Sequence, residues 1–349
     1  VFRSSDLRLG AARRPRWGEG LVSVLAGRDA SGEVCRLSEL PSAVLLMAHG
    51  SPNSLDEMAA YLSEIREGRP TSPGLVEEMR RRYALVGGRS PLLDITRAQA
   101  RALEDRLNAP GAPRGIRVVV GMRHWHPYIH EALAGIVAMG QRDVVALCLA
   151  PHYSRLSVGA YIRRAEEARE SLDRTLNLSY VESWHTHPLF LQAIADKVQA
   201  AYRRFPARRR AQVQIVFTAH SLPVSVIEAG DPYAAQVEET AKEVAARLQL
   251  PTDAWQTCYQ SAGATSVPWM GPDLKEVIVD LARRGQREIL VVPVGFVADH
   301  VEILYDIDID AREQATQVGV HLERTESLNA TPRFIDALAD IVRARVRER

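Results

Sequence analysis

From Ala43 onward the chain alternates short runs of Val, Ile and Leu with longer stretches in which apolar residues recur every three or four positions. The short runs are Ala43 to Met47, Ile116 to Val120, Val144 to Leu149, Leu178 to Val181, Val213 to Phe217, Trp255 to Tyr259, Ile289 to Val294 and Val320 to Leu322. They have the length and β-branched content of buried strands. Between them a helical period runs near 54–66, 74–86, 92–107, 128–139, 159–174, 188–204, 233–248, 271–284 and 331–347. Strand, helix and strand in that order predict an α/β protein with parallel sheets covered on both faces. In such folds ligands gather at the loops beyond the carboxyl ends of the strands.

One internal echo adds to this pattern. Val44–Pro52 (VLLMAHGSP) and Ile215–Pro223 (IVFTAHSLP) are both apolar strands ending in Ala-His, a small residue and a nearby Pro, offset by 171 residues. The echo predicts two similar halves with His49 and His220 at equivalent strand ends facing one cleft, unless the short string matches by chance. At 349 residues the chain exceeds one comfortable core, which also suggests two domains. The boundaries expected are 42–187 and 188–330, followed by a C-terminal helix over 331–349. Residues 1–41 hold seven Arg and five acidic residues without a sustained period, and read as a flexible N-terminal extension or a misplaced start.

Composition narrows the partners. The 44 basic and 43 acidic residues give a net charge of +1, so no overall field draws the protein to nucleic acid or an anionic membrane. No apolar run reaches the length of a spanning helix. Cys35, Cys148 and Cys258 are too scattered for a zinc knuckle, an iron–sulfur cluster or a disulfide framework. A reducing, cytoplasmic location and a soluble monomer with transient partners are expected. Only three lysines occur, and arginine, with its planar fork, suits carboxylate recognition.

The richest chemistry lies in Gly295–Asp310 (GFVADHVEILYDIDID). In a regular α-helix Glu302, Asp306 and Asp310 share one face as a carboxylate line about 12 Å long, either a solvated acidic face or a cation route. His220 with Glu302 supplies imidazole and carboxylate, ligands suited to Fe(II), Co(II) or Zn(II). His300, two residues before Glu302, is expected to point elsewhere, since i and i+2 do not share a helix face. Arg123, His124, His126 and His130 look like a metal cluster, but no Cys completes the set and Glu131 is poorly placed to join it; a structural or substrate-wall role is expected. Trp269 either lines a flat apolar ligand or packs on the sheet. The turn Gly87–Pro91 lacks the Lys-Ser/Thr of a phosphate loop.

Taken together, Phe217–Pro223 (FTAHSLP), Gln260–Gly263 (QSAG), Pro268–Pro272 (PWMGP) and Gly295–Asp310 resemble the ferrochelatase family, from about Val44 to Arg347. The resemblance implies two Rossmann-like domains around a porphyrin cleft, with His220 and Glu302 in the metal-insertion positions. Asp306 and Asp310 would then extend the metal or proton route. Fe(II) and the porphyrin are substrates, and no organic cofactor or iron–sulfur cluster is implied. Within the family the chain looks most like the soluble bacterial coproporphyrin ferrochelatases, through Ile65–Pro70 (IREGRP), Arg82–Pro91 (RYALVGGRSP), Ala150–Ser154 (APHYS) and Tyr161. That resemblance suggests Arg66, Arg82, Tyr83, Ser90, Tyr161 and Ser261 as propionate contacts. Two departures stand out: His49 replaces the usual Tyr of the soluble enzymes, and Glu67 replaces a frequent second Arg. His49 is therefore a candidate axial ligand to product iron. Two alternatives stay open: a sirohydrochlorin or cobalt chelatase, since His49-Gly50-Ser51 also follows the first strand in those enzymes, and a non-catalytic haem carrier on the same scaffold.

Overall fold

The computed structural model describes residues 43–110, 115–263 and 266–347; the expected N-terminal extension and Cys35 lie outside them. The first half runs β1 (Ala43–Ala48), α1 (Met58–Ile65), α2 (Pro73–Leu85), α3 (Leu92–Leu107), β2 (Arg117–Met122), α4 (Ile129–Ala138), β3 (Asp143–Cys148), α5 (Val158–Leu172), β4 (Asn177–Val181) and α6 (Pro188–Tyr202). The second runs β5 (Val213–His220), α7 (Val224–Glu228), α8 (Tyr233–Arg247), β6 (Trp255–Gln260), α9 (Leu274–Arg283), β7 (Glu288–Pro293), α10 (Val301–Leu304), a π-turn at Asp306–Ala311, α11 (Arg312–Gln317), β8 (His321–Arg324) and α12 (Pro332–Arg347). Each apolar run named from the sequence is a strand, to within a few residues at its ends.

Both sheets are four-stranded and parallel, in the orders β2-β1-β3-β4 and β6-β5-β7-β8. The two orders are the same, so the internal echo reports a repeated architecture. β1 and β5 are interior strands flanked on both sides, and all six residues of β1 are buried, which is why these runs are continuously apolar and do not alternate. In each sheet the order reverses beside this strand, creating a crevice at its carboxyl end. His49 follows β1 there and His220 ends β5 there.

Packing joins the halves. A single core cluster holds Val44, Leu46 and Val145 of the first sheet with Ile215, Phe217 and Leu290 of the second. α12 contributes Phe334, Leu338 and Ile341 to this cluster, against Leu103 of α3 and Phe190 of α6. The sheet changes between β4 and β5 while the packing stays continuous, and the C-terminal helix covers α3 and α6.

The two strands that carry the second half's chemistry approach closely where β7 gives way to its loop. A Cβ on Gly295 would lie 2.7 Å from the Ala219 Cβ and 3.0 Å from its Cα, so only glycine lets this loop pass beside the end of β5. Gly295→Ala is expected to lower the urea midpoint by an amount equivalent to about 1–3 kcal/mol, as overpacking does. Gly74→Ala, in open space within α2, is expected to be neutral or slightly stabilising. Equal midpoints for the two variants would show that the approach at Gly295 is not tight.

Candidate active site

The carboxyl ends of both sheets open into one cavity of about 260 Å³, whose walls include His49, Arg123 and Tyr161 from the first half and His220, His300 and Glu302 from the second. Apolar residues such as Leu92, Leu222 and Val297 complete it. The two echoed histidines thus do face one cleft.

At its centre is Glu302. Its Oε2 lies 3.8 Å from His220 Nε2 and 3.6 Å from His300 Nε2. The other nitrogen of each ring is held by the backbone: His220 Nδ1 donates to the Ser221 carbonyl, and His300 Nδ1 donates to the Ala298 carbonyl at 3.0 Å. These bonds leave both Nε2 atoms facing the same carboxylate oxygen, and a third aromatic, Tyr233, braces the strand end by donating to the His220 carbonyl at 3.0 Å. Burial by itself would raise the Glu302 carboxyl, but the His220 and His300 rings overcome it and hold the group well below the usual carboxylate range. Burial likewise opposes a charge on His300, and Glu302 reverses that, raising the imidazole above its ordinary value. The expectation that His300 points elsewhere is corrected: it lies ahead of α10 in extended backbone with φ −158°, so the helix-face rule does not govern it.

The carboxylate line exists, but not in a regular α-helix. The Tyr305 carbonyl accepts from Ile309 N at 3.2 Å and, across five residues, from Asp310 N at 2.9 Å, opening a π-turn directly after Glu302's helix. The four proposed metal residues are strung along this path, and among the described residues no three His, Cys, Asp or Glu side chains form a closed metal cage. Asp306 accepts a hydrogen bond from Ser261 Oγ and lies 3.9 Å from Arg82 Nη1. Its carboxyl is raised to about 6 by burial and by the Glu302 charge, against the pull of Ser261. Asp310, at the outer end, pairs with Lys275 Nζ at 2.9 Å.

The remaining expected residues divide between cleft wall and supporting shell. Tyr161 lies on the wall beneath the Arg123 guanidinium, 5.6 Å from its ring centroid, while Arg123 also donates to the Leu156 carbonyl at 2.9 Å. His124 sits behind His49 with ring centroids 4.7 Å apart. Burial lowers His49 to about 4, partly opposed by Glu302, and lowers His124 to about 2, so both rings are neutral near neutral pH. The Trp269 ring lies 6.5 Å from that of His220. Arg82 pairs with Glu78 at 2.9 Å and covers the Tyr305 ring at 4.9 Å. Arg66 caps α1 and donates to the Pro70 carbonyl at 3.1 Å, with its buried Nε unpartnered.

Two expected contacts face inward. Tyr83 is only 1% exposed and its hydroxyl meets that of Tyr61 within an apolar cluster under α1 and α2. Ser90 is buried and its Oγ accepts from Leu92 N at 3.3 Å, opening α3. In this structure neither hydroxyl is presented to the cavity. Glu131, expected to stand apart, reaches His126 Nδ1 at 2.8 Å and the Tyr128 amide at 2.7 Å, because it folds back as a helix cap. His152, to which no role was assigned from the sequence although it lies inside the Ala150–Ser154 string, is a buried cleft-lining ring bonded to Thr240 Oγ1 at 2.9 Å.

Comparison with known proteins agrees with this geometry. The family model described as Ferrochelatase matches residues 41–346. A Ferrochelatase of Deinococcus radiodurans is 42% identical over 311 residues, covering 89% of this chain and 98% of that protein. The Coproporphyrin III ferrochelatase of Geobacillus thermodenitrificans is 39% identical, covering 87% and 95%, and that of Bacillus subtilis 37%, covering 88% and 98%. Among solved structures, the sirohydrochlorin chelatase SirB of Bacillus subtilis subspecies spizizenii in complex with cobalt shares the fold with a TM-score of 0.52 at 12% identity, covering 88% of this chain and 95% of that one. With a paired imidazole and carboxylate at the floor of a cleft between two parallel sheets, and a family match across nearly all of the described chain, this protein belongs to the ferrochelatase family, the lyases that insert Fe(II) into porphyrins.

Proposed function

We propose that this chain inserts Fe(II) into coproporphyrin III in haem biosynthesis, with His220 and Glu302 at the point of insertion. The observation that carries this reading is the position of the Glu302 carboxylate, 3.8 and 3.6 Å from two imidazoles whose other nitrogens are held by backbone carbonyls. Insertion exchanges one Fe(II) for two pyrrole protons, so the site must offer donors to a metal that is shedding water and acceptors to the departing protons. His220 Nδ1 is committed to the Ser221 carbonyl, so in the neutral ring it is Nε2, 3.8 Å from Glu302 Oε2, that carries the lone pair. That pair can ligate Fe(II) on its way in or take up a proton, and imidazole with carboxylate suits this ion. Asp306, raised to about 6, is positioned to accept a proton near neutral pH and pass it toward the exposed Asp310.

Coproporphyrin III is favoured because its four propionates demand charged and hydroxyl partners around the rim, and Arg66, Arg82, Arg123, Tyr161 and Ser261 supply them. The segment 66–74 is polar and gives vinyl groups little apolar cover. Remote pairing of this kind also drives the distortion that exposes the pyrrole lone pairs. His49, kept neutral by burial, is in the form that ligates product iron, and we assign it that axial role. The free buried thiols of Cys148 and Cys258 accord with action in the cytoplasm, where the chain would work as a monomer with transient haem-pathway partners.

His220→Ala and Glu302→Gln should each lower the rate of Fe(II) insertion by at least about a hundredfold in an anaerobic metallation assay; near wild-type turnover in both would remove the assignment. As pH falls through 6 Asp306 becomes protonated and accepts nothing further, so kcat/KM should decline on the acid side with an apparent pKa of about 6. Asp306→Asn should flatten that limb, and an unchanged limb would exclude Asp306 from the proton route. Steady-state comparison without detergent should give coproporphyrin III a higher specificity constant than protoporphyrin IX or sirohydrochlorin. The opposite order would overturn the substrate choice and leave iron insertion standing.

A further inference from the structure

Behind the carboxylate path, away from the cavity, a second ionic cluster brackets the segment that carries it. Arg324 ends β8 with its side chain only 11% exposed. Its Nε and Nη2 bind both oxygens of Asp308, at 2.8 and 2.7 Å, and its Nη1 lies 3.3 Å from Asp299 Oδ1 and donates to its neighbour's carbonyl, Thr325 O, at 2.9 Å. Asp299 is further tied by Ser327 Oγ at 2.7 Å and Asn329 Nδ2 at 2.9 Å, and its own amide donates to Asn329 Oδ1 at 3.0 Å. One guanidinium thus grips the chain just before His300 and again inside the π-turn. His300, Glu302 and Asp306 all lie between the two grips.

We propose that Arg324 is a positioning residue that holds the π-turn in register and thereby keeps Asp306 aligned with Glu302. An α-helix advances about 100° per residue, so the one extra residue of a π-turn resets the face of everything beyond it by about that angle. Asp306 faces Ser261 and Arg82 while Asp308 faces Arg324. If the turn relaxed to α-helix, those two carboxylates could not both keep their partners. Stability alone does not account for the cluster, because burying an ion pair among apolar neighbours is often no better than an apolar pair, whereas fixing a register is a known use of one.

This inference rests on the iron-insertion reading, and two readouts on the full chain separate them. Hydrogen exchange followed by mass spectrometry should show faster exchange in Asp308→Asn confined to about residues 300–311, a result that needs no activity. In the same variant, and in Arg324→Lys, kcat should fall between about tenfold and a hundredfold and the apparent KM for Fe(II) should rise, while the KM for coproporphyrin III changes less than about twofold. The double variant should be no worse than the poorer single one, since both variants break the same Arg324–Asp308 grip. Wild-type exchange across 300–311 in Asp308→Asn would overturn the clamp. Fast exchange with kcat and both KM values unchanged would show a structural tie that does not position the site. If Arg324→Lys does not fold, Asp308→Asn, which leaves Arg324 its Asp299 partner, decides alone. A wild-type protein that fails to metallate any porphyrin would overturn the functional reading while leaving the exchange result to judge the clamp.

Discussion

An ionised carboxylate at the bottom of a partly apolar cleft is the constraint around which this protein is arranged. Water stabilises such a charge; a protein interior does not, and an unpaired Glu302 would take up a proton instead. The two imidazoles that prevent this come from different places. His220 closes β5, and His300 sits in the loop after β7, brought beside it because Gly295 lets that loop pass against Ala219. Each ring is in turn anchored through its second nitrogen to a backbone carbonyl, so the charge, the rings and the ends of two neighbouring strands form one unit.

The repeated architecture explains how two strand-end histidines came to line one cavity, although their surroundings differ. His220 faces a carboxylate. His49 packs on His124 and feels Glu302 and Arg123 in opposite senses, and with burial dominating it stays neutral. The same fold position therefore yields a partner for a charge in one half and an uncharged ring in the other.

Polar contacts to the substrate rim are arranged on shorter-range logic. Arg82 is held between Glu78 and Asp306 and lies over Tyr305, and Arg123 rests on Tyr161, so both guanidinium groups are held in place by the protein's own contacts. Tyr83 and Ser90, by contrast, use their hydroxyls within the wall, the first under α1 and α2 and the second at the start of α3.

Much of the fold was legible along the chain because burial on both faces of a parallel sheet leaves a local mark: continuous apolar runs separated by helical periods. From that mark follow the eight strands, their parallel sense and the repeated strand ending in Ala-His, whereas the expectation that His220 and Glu302 share one site came from the family resemblance. What periodicity does not carry is where a side chain aims once regular structure stops. His300 lies outside the helix whose geometry was applied to it, Glu131 turns back to cap a helix, and Tyr83 points under its helix instead of toward the cleft. The π-turn at 306–311 likewise has no period of its own, and it faces partners from β8, α9 and α2, of which the nearest in sequence is 16 residues away. Local hydrophobic pattern determined the elements and their order; only the packing of distant segments decided which nitrogen meets Glu302 and which carboxylate meets Arg324, because those contacts depend on rotations of single residues that leave the pattern unchanged.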